Sequence, residues 1–293
     1  MTETNIKQDI VQKFYNETPF PDYELERFNS KEDLEPYAQP FSKILDRSIP
    51  ADASIIDIGT GTGMLSAYLS LRRKKVWGVD FSDSSLKKAI GLKEKLKLDT
   101  LTLRKVDILD LAQVQSVSEK FDYLLSTGVL HHTTDPYRGF QNILHLVKPN
   151  GYIAIGLYNK PGRSLLKIRI FLAKTVFKNN DRVKDWFIRM QIGETTDKEK
   201  MRGWWNDQYL HPRESTHTVG EVLRWFKDNG ITYYDSIPSL TLFNESEVNI
   251  AGVWNRVGES YPNFFVRFWK QMIWVWSTHK EGGYWIMFGR KNQ

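Results

Sequence analysis

The sequence predicts an α/β fold built on a doubly wound, seven-stranded sheet. From residue 54 to residue 158, short apolar segments alternate with segments that have the polar and apolar spacing of helices. This alternation is typical of a parallel sheet with helices on both faces. Two more apolar segments near the end of the chain supply the sixth and seventh strands. The composition, 41% hydrophobic and 26% charged, is ordinary for a soluble globular protein.

The individual elements follow from apolar runs and from the residues that bound them. The predicted strands are SIIDIG (54–59), VWGVDFS (76–82), LTLRKVDI (101–108), FDYLLST (121–127), YIAIGLY (152–158), ITYYDSIP (231–238) and GYWIMFGRK (283–291). Helices are predicted at 63–74, at 82–97, at about 136–147 and within 216–230. In the last helix Thr218 and Glu221 have the spacing of a capping box, and Gly230 is a stop signal.

The chain is predicted to divide into four regions. Residues 1–49 are expected to form a helical lid, and residues 50–158 a ligand-binding core. Residues 159–216 are expected to form a basic and aromatic insertion that caps the substrate, and residues 217–293 a region that completes the sheet. Pro19 and Pro21 break the helical pattern of the first region with an extended turn. A second insertion, at 239–282, interrupts the last region.

The bulk properties exclude several kinds of chemistry. The net charge is +6 and the chain has no cysteine. The lack of cysteine excludes disulfides, zinc–thiolate sites, iron–sulfur clusters and a cysteine nucleophile, and no metal site is predicted. The polar N-terminus has no signal-peptide core, and no run of 18 apolar residues predicts a spanning helix. We therefore expect a cytoplasmic protein, with peripheral attachment to a membrane as an alternative.

A glycine-rich loop follows the first predicted strand in the segment IIDIGTGTG. Gly59, Gly61 and Gly63 alternate with threonines. A dinucleotide fingerprint would need its third glycine at position 64, where Met64 stands, and the phosphate-loop motif is absent. The loop is therefore predicted to bring bare backbone close to an uncharged or zwitterionic group at the carboxyl ends of the strands.

This loop and its neighbours resemble a known family. DIGTGTG, from Asp57, looks like the first motif of class I S-adenosylmethionine-dependent methyltransferases, which have a Rossmann-like fold. Asp80 at the end of the second strand and Asp107 at the end of the third arrive in that family's order. FDYLLSTGVLHHTTDP and LVKPNGYIAIG are similar to its fourth strand, following helix and fifth strand. The resemblance covers roughly residues 50–158, with the helix and strands at 218–237 and 284–290.

The resemblance implies S-adenosyl-L-methionine as the cofactor and S-adenosyl-L-homocysteine as the product. It implies that Asp80 binds the ribose hydroxyls and that Asp107, with Asp110 as a competing candidate, meets the adenine amino group. Asp57 either braces the loop or binds the cofactor's amino group through water. The implied cofactor-binding residues are Asp57, Gly59, Gly61, Gly63, Asp80, Phe81, Asp107, Ile108 and Thr127, with Phe81 and Ile108 either enclosing the adenine or belonging to the core.

Three residues are candidates for catalysis. His131 and His132 follow the fourth strand, where a base could accept a proton from an oxygen or nitrogen nucleophile. The alternative for either histidine is packing against, or capping, the next helix. Tyr15 lies in the predicted lid and could place its ring or hydroxyl near the transferred methyl group, or simply pack on the edge of the sheet.

The predicted substrate wall combines the end of the fifth strand with a polar segment of the first insertion. Its residues are Tyr158, Tyr209, His211, Arg213 and His217, beside Trp204 and Trp205. The alternative for the polar segment is an exposed connector whose side chains cap helices.

Two further segments indicate surfaces for partners. Residues 160–178 contain six basic residues and no acidic one, with Leu165, Ile168, Leu172 and Val176 at helical spacing. Such a helix can bind an anionic membrane or a nucleic acid, or pack on its own domain with a solvated basic face. The apolar segment 264–277 could be a pocket roof, an oligomer contact or an interfacial anchor, and the oligomeric state stays open.

The leading functional hypothesis is methyl transfer to a small or medium metabolite. Aromatic and lipid-like compounds are among the candidates. The aromatic insertions favour it, because apolar substrates bind in such walls. The alternatives are an RNA or protein methyltransferase that uses the basic 160–178 face, and a non-catalytic module that binds S-adenosylmethionine. The absence of the D/N-P-P-Y signature after the fourth strand argues against exocyclic amino methylation of bases or glutamine.

Overall fold

The computed structural model describes residues 3–178, 180–193, 198–240, 253–254, 261–278 and 282–293. Its central element is a seven-stranded sheet with the spatial order β3-β2-β1-β4-β5-β7-β6. The strands are β1 Ser54–Ile58, β2 Lys75–Asp80, β3 Leu101–Lys105, β4 Phe121–Thr127, β5 Val147–Tyr158, β6 Ile231–Ile237 and β7 Tyr284–Lys291. β1 to β5 pair in parallel, and β7 runs antiparallel between β5 and β6. The predicted doubly wound, seven-stranded α/β fold is confirmed.

Helices connect the strands and extend from them. They are α1 Glu3–Glu17, α2 Pro40–Ser48, α3 Met64–Ser70, α4 Asp83–Leu96, α5 Leu111–Gln115, α6 Pro136–Ile143, α7 Ser164–Thr175, α8 Asp181–Ile192, α9 Lys198–Trp205, α10 Val219–Asp228 and α11 Phe264–Ser277. None of the helices in the described part of the chain combines the length and the apolar character needed to cross a bilayer.

The predicted helix signals at α10 are confirmed. The hydroxyl of Thr218 accepts a hydrogen bond from the Glu221 backbone at 3.2 Å, and the Glu221 carboxylate accepts one from the Thr218 backbone at 3.4 Å. This capping box satisfies two amides that the first helical turn leaves without partners. Gly230, with φ +66°, lies just beyond the helix, as its stop signal requires.

Several element boundaries differ from the prediction, among them the start of β5, which lies at Val147 rather than at residue 152. α3 ends at Ser70 rather than at residue 74, and the Arg73 side chain beyond its end binds the Asp46 carboxylate and the carbonyl of Ile49. The helix predicted to reach residue 147 gives way at Ile143 to a short 3₁₀ turn. β3 ends at Lys105, so Asp107 lies in the loop beyond the strand.

The core divides into layers because successive strand residues point to opposite faces of the sheet. On one face Ile56 and Ile58 of β1 pack with Phe140 of α6 and Phe226 of α10. On the other face Ile55 belongs to the layer that includes side chains of α2, α3 and α4. A third, smaller cluster joins α7, α8 and α9, and it includes Leu166, Phe187, Trp205 and Tyr209. The first insertion therefore has a core of its own.

The predicted apolar stripe of the basic segment does not form the packed face of α7. Leu166 and Ala173 are the buried residues of this helix, whereas Ile168 and Val176 are exposed. The helix therefore turns part of its apolar surface to solvent. Of the second predicted insertion, 239–282, residues 241–252, 255–260 and 279–281 lie outside the described residues.

Candidate functional site

The carboxyl ends of the parallel strands meet at one edge of the sheet, and the chain order reverses between β1 and β4. Such a switch point opens a crevice in doubly wound sheets, because the connections on its two sides leave in opposite directions. Here the loops after the two strands touch. A Cβ atom added at Gly59 would lie 2.2 Å from a methyl carbon of Val129. Glycine at position 59 is what lets the two loops approach.

The glycine loop also contacts the N-terminal segment. Gly61 has φ +56°, in the left-handed region, and a Cβ atom there would lie 2.5 Å from the carbonyl oxygen of Phe20. The hydroxyl of Thr62 donates to the carbonyl of Pro21 at 2.7 Å, and the hydroxyl of Tyr23 donates to the carbonyl of Thr62 at 2.6 Å. The segment after α1 is therefore bound directly to the loop. Gly63, at the start of α3, also has a positive φ of +84°.

Asp57 holds the base of this loop. Its Oδ2 atom accepts hydrogen bonds from the hydroxyls of Thr60, at 2.9 Å, and Ser66, at 2.7 Å. The side chain is buried, and burial raises its pKa to about 6 despite these hydrogen bonds, with the nearby Asp80 carboxylate adding to the rise. These contacts are those of the loop-bracing role that the sequence allowed for Asp57.

Asp80 lies at the end of β2, at the crevice, and its two oxygens accept different backbone amides. Oδ2 binds the N–H of Gly61 at 2.8 Å, and Oδ1 binds the N–H of Ser82 at 2.8 Å. Burial raises the pKa of this carboxyl, while the amides of Ser82, Gly61 and Phe81 oppose the rise. Each carboxylate oxygen has two lone pairs, so both retain capacity for a further donor such as a sugar hydroxyl.

The two acidic candidates beyond β3 have different surroundings. Asp110 caps α5, since its Oδ1 accepts the amides of Ala112 and Gln113 and its Oδ2 accepts the Gln113 side chain at 2.9 Å. Asp107 Oδ1 accepts the amide of Leu109 at 2.9 Å, and the residue is half-buried at the same edge of the sheet as Asp80. Asp110 therefore caps α5, whereas Asp107 lies at the edge of the sheet that carries the crevice.

The remaining predicted cofactor residues differ in exposure. Phe81 and Thr127, just after β2 and at the end of β4, are half-buried at this edge. Ile108 is buried in the main hydrophobic layer, and its carbonyl accepts a hydrogen bond from Asn142 at 2.8 Å. The side chain of Ile108 is thus committed largely to the core.

α1 closes one side of the crevice. The Gln12 side chain donates to the carbonyl of Phe81 at 3.0 Å, and the hydroxyl of Ser82 donates to the Asn16 side chain at 2.9 Å. Between these anchors the ring of Tyr15 lies 6.4 Å from that of Phe81 and 6.1 Å from that of His132, measured between centroids. The structure thus brings Tyr15 to the same place as a predicted catalytic histidine.

Two histidine rings are held by the backbone of one residue, Arg213. The Nδ1 atom of His132 donates to the Arg213 carbonyl at 3.1 Å, because a carbonyl can only accept. The Arg213 amide in turn donates to Nδ1 of His211 at 3.2 Å. The ring centroids of His132 and His211 are 3.8 Å apart, with their planes inclined by 35°. In the neutral rings, Nε2 of His132 is therefore an acceptor and Nε2 of His211 is a donor.

Burial keeps these histidines neutral. It lowers the pKa of His131 and of His132 well below 6.5, and it lowers the pKa of His211 to about 4, with the charge of Arg163 acting in the same direction. Within the described part of the chain, no hydrogen-bond partner is found for the buried Nε2 of His211. This atom is therefore a donor without an acceptor, which is costly unless a ligand supplies one.

The Arg213 side chain holds the turn that carries His131 and His132. Its guanidinium donates to the carbonyls of Thr133 and Thr134, each at 3.0 Å. The His131 ring packs at 4.4 Å from the ring of Tyr158, which ends β5. The backbone and side chain of Arg213 thus act together to place three of the predicted residues.

A buried ion pair lies behind Tyr158. The Arg163 guanidinium stacks on the Tyr158 ring at 3.6 Å and donates to both oxygens of Glu214, at 2.8 Å through Nε. It also donates to Gln208, whose amide donates to the Tyr158 hydroxyl at 2.7 Å. The sequence showed Arg163 only as one of six bases in a basic segment, because nothing local indicates that it is buried.

Two predicted substrate residues are placed away from the histidine pair. Tyr209 stacks on Trp205 at 4.1 Å within the core of the first insertion. His217 is buried, and both of its ring nitrogens are used: Nδ1 pairs with Glu221 at 2.9 Å and Nε2 with the hydroxyl of Ser215 at 2.8 Å. The structure thus brings His211 and Arg213 to the crevice, with Tyr158 beside them, and gives His217 a place in the packing around α10.

The fold and this edge of the sheet define a class I S-adenosylmethionine-dependent methyltransferase. Residues 49–230 match the family described as "Methyltransferase domain", and the chain belongs to that family. This confirms the resemblance to that family.

Relatives agree with this membership, and a solved structure shares the fold. The chain is 26% identical to the ubiquinone biosynthesis O-methyltransferase of Acinetobacter baylyi over 64% of its own length and 69% of that protein. It is 28% identical to the enzyme of the same name from Marinobacter nauticus over 38% of its length and 46% of that protein. The chain spans about half the length of most curated relatives that it matches. PKMT2 from Rickettsia typhi superposes with a TM-score of 0.59 at 15% identity, covering 88% of this chain and 53% of that one, which shows the shared fold alone.

Proposed function

We propose that the chain transfers a methyl group from S-adenosylmethionine to the oxygen of a hydroxyl on an apolar small or medium metabolite. The observation that carries this proposal is the pair of imidazoles held by the Arg213 backbone, one with an accepting Nε2 and the other with a donating Nε2. A hydroxyl group is both a donor and an acceptor, so it complements this pair. Several relatives are ubiquinone biosynthesis O-methyltransferases, which supports the same choice of acceptor atom.

The residues around the glycine loop fit the proposed cofactor. Asp80 offers carboxylate lone pairs at the crevice, and glycine at positions 59 and 61 lets the loop pack closely against Val129 and the Phe20 carbonyl. Asp80 would hold the ribose, Asp107 the adenine and the loop the methionyl part. When bound, S-adenosylmethionine supplies an electrophilic methyl group on a positively charged sulfur. Related PKMT2 from Rickettsia typhi has been solved in complex with AdoHcy.

The histidine pair would handle the proton of the acceptor hydroxyl. The neutral Nε2 atom of His132 accepts that proton, because Nδ1 is already committed to the Arg213 carbonyl. The Nε2–H group of His211 donates to the same oxygen and stabilises the negative charge that develops on it. The low pKa values of both rings keep them in this neutral form at physiological pH.

The walls of the proposed substrate site favour an apolar compound. The rings of Phe14 and Tyr15 lie 4.9 and 5.4 Å from that of His211, and Phe81 lies beyond Tyr15. The guanidinium groups of Arg163 and Arg213 are already bound by protein acceptors, so neither needs an anionic ligand to satisfy it. Aromatic rings and neutral donors suit a phenol or a similar hydroxyl compound better than a phosphorylated one.

The test uses S-adenosylmethionine with an isotopically labelled methyl group and a fractionated metabolite extract. Mass spectrometry identifies the product and the atom that carries the label, and release of S-adenosylhomocysteine gives the rate. His132→Gln should lower kcat by about 10²- to 10⁴-fold, as loss of a general base does. Its affinity for S-adenosylmethionine, measured by calorimetry, should be unchanged.

His145→Gln is the matched control, because His145 is exposed on the 3₁₀ turn after α6. It should retain full activity. Label on nitrogen, sulfur or carbon, or full activity of His132→Gln, would contradict the proposal. Cofactor binding with no turnover in any fraction would instead favour a non-catalytic module, and label on RNA or protein would favour the basic face at 160–178.

A further inference from the structure

α11 exposes its apolar side to solvent and buries its polar side against the domain. Its apolar and aromatic side faces solvent, with Phe265 72% and Trp269 61% exposed. The exposed residues recur at intervals of one and three, which is one face of a helix. They are Phe264, Phe265, Phe268, Trp269, Met272, Ile273 and Trp276. Isolated exposed apolar residues are ordinary, but a continuous face of seven large ones marks an interaction surface.

The polar side of the same helix is buried and fixed in place. Lys270 is 7% and Gln271 8% exposed. The Gln271 side-chain oxygen accepts hydrogen bonds from Asn159 at 3.0 Å and from the amide of Val219 at 2.9 Å. Trp274 is buried and lies 5.7 Å from the ring of Trp285 in β7. These contacts set the rotation of α11 about its axis, so the exposure of the aromatic face follows from specific packing on the domain.

The end of α11 contacts the start of a basic segment. The end of α11 meets the start of α7, since a Cβ atom at Gly162 would lie 3.3 Å from the hydroxyl of Thr278. Neither 160–178 nor 261–278 contains an acidic residue, whereas the two segments together contain eight lysines and arginines, of which Arg163 and Lys270 are buried. Lys167, Lys174 and Lys178 are exposed, and so are the apolar side chains of Ile168 and Phe171 between them.

We infer that the exposed face of α11 binds the surface of an anionic phospholipid bilayer, with α11 lying in the interfacial plane. Helices rich in tryptophan and phenylalanine on one side bind with that side at the boundary between the headgroups and the acyl chains. Lysines near such a helix are attracted by anionic headgroups. A second copy of this chain is a poorer occupant, because it would bring a second acid-free basic segment toward the first. This surface is separate from the histidine pair, and the inference does not depend on the proposed methyl transfer.

The test is flotation of the purified full chain with vesicles of phosphatidylcholine alone or mixed with phosphatidylglycerol. The wild-type chain should float with the mixed vesicles, and loss of the anionic lipid should weaken binding about fivefold for each basic residue that reaches the surface. Phe265→Ser and Trp269→Ser should each weaken binding to the mixed vesicles about tenfold, because each removes a large apolar side chain from the interface.

Ile90→Ser is the matched control, since Ile90 on α4 is 42% exposed and distant in sequence from both segments. It should bind like the wild type. Brominated lipids should quench tryptophan fluorescence in the wild type, and Trp269→Phe should reduce that quenching while retaining flotation. Circular dichroism confirms that each variant is folded.

Two outcomes would overturn the inference. One is the absence of flotation of folded wild-type protein with the mixed vesicles. The other is a stable dimer in light scattering that Phe265→Ser and Trp269→Ser dissociate, because it would show that a second copy covers the face. Neither result concerns methyl transfer, so the inference can fail while the proposed function stands.

Discussion

Gly61→Ala tests whether the glycine loop and the N-terminal segment depend on each other. The added methyl group meets two separate costs. At φ +56° an alanine occupies the left-handed region, which costs about 1–2 kcal/mol. The new Cβ atom would also lie 2.5 Å from the Phe20 carbonyl, about half an ångström inside the 3.0 Å below which such contacts are essentially never found. Because that neighbour is backbone, the N-terminal segment or the loop has to move.

Gly230→Ala separates these two costs. Gly230 has nearly the same φ, +66°, but nothing lies within 4 Å of the position that its Cβ would take. It therefore carries the conformational cost without the clash. We expect Gly230→Ala to lower the free energy of unfolding by about 1 kcal/mol and Gly61→Ala to lower it by at least about 1 kcal/mol more.

Calorimetry with S-adenosylmethionine and urea denaturation give the two measurements. Gly61→Ala should bind the cofactor at least about tenfold more weakly, because the loop that would hold its methionyl part is displaced. Gly230→Ala, at the far end of α10, should bind it normally. Equal stability and equal affinity of the two variants would show that the contact between Gly61 and Phe20 does not couple the glycine loop to the N-terminal segment.

Two further predictions concern buried charges. Because the pKa of Asp57 is raised to about 6 in the folded state, the wild type loses stability as the pH rises from about 4 to about 6. Asp57→Asn should remove that loss, so its free energy of unfolding relative to the wild type should increase by about 2 kcal/mol between pH 4 and pH 6. Urea denaturation across this pH range measures the difference. Parallel pH profiles of the two proteins would contradict the raised pKa of Asp57. Glu214→Ala leaves the charge of buried Arg163 without its carboxylate and should cost about 3–5 kcal/mol in thermal or urea unfolding. Glu17→Ala, which breaks an exposed pair, should cost under about 1 kcal/mol, and equal costs would refute the argument.

The class of fold could be predicted because its signals are local and repeated. Strand and helix periods alternate along 54–158, and the capping box at Thr218 and Glu221 is a pattern of four residues. The boundaries were less predictable, because distant contacts act on the residues beside them. Arg73, predicted to lie in α3, lies beyond its end and binds Asp46, 27 residues away, and no local propensity encodes that pair.

The candidate site was predictable to a similar extent. Asp57, Asp80 and the three glycines lie next to strand ends, and parallel strands bring their carboxyl ends to one edge of the sheet. The sequence did not show that Asp110 caps α5, which the structure shows, and which of Asp107 and Asp110 meets the adenine stays a prediction. His217 was grouped with His211 because the two are close in sequence, yet its nitrogens bind Glu221 and Ser215.

By itself the sequence determined the doubly wound sheet, the backbone loop after β1 and the family. These depend on side-chain periodicity and on the freedom of glycine, which act over a few residues. Only the tertiary structure decided that the Arg213 backbone holds His132, 81 residues away, beside His211, and that α11 turns its aromatic side outward. Which side chains are buried, and which hydrogen-bond partners they have, depends on which distant elements pack together. The free energy of that packing decides which face of a helix is buried, because the local sequence pattern does not.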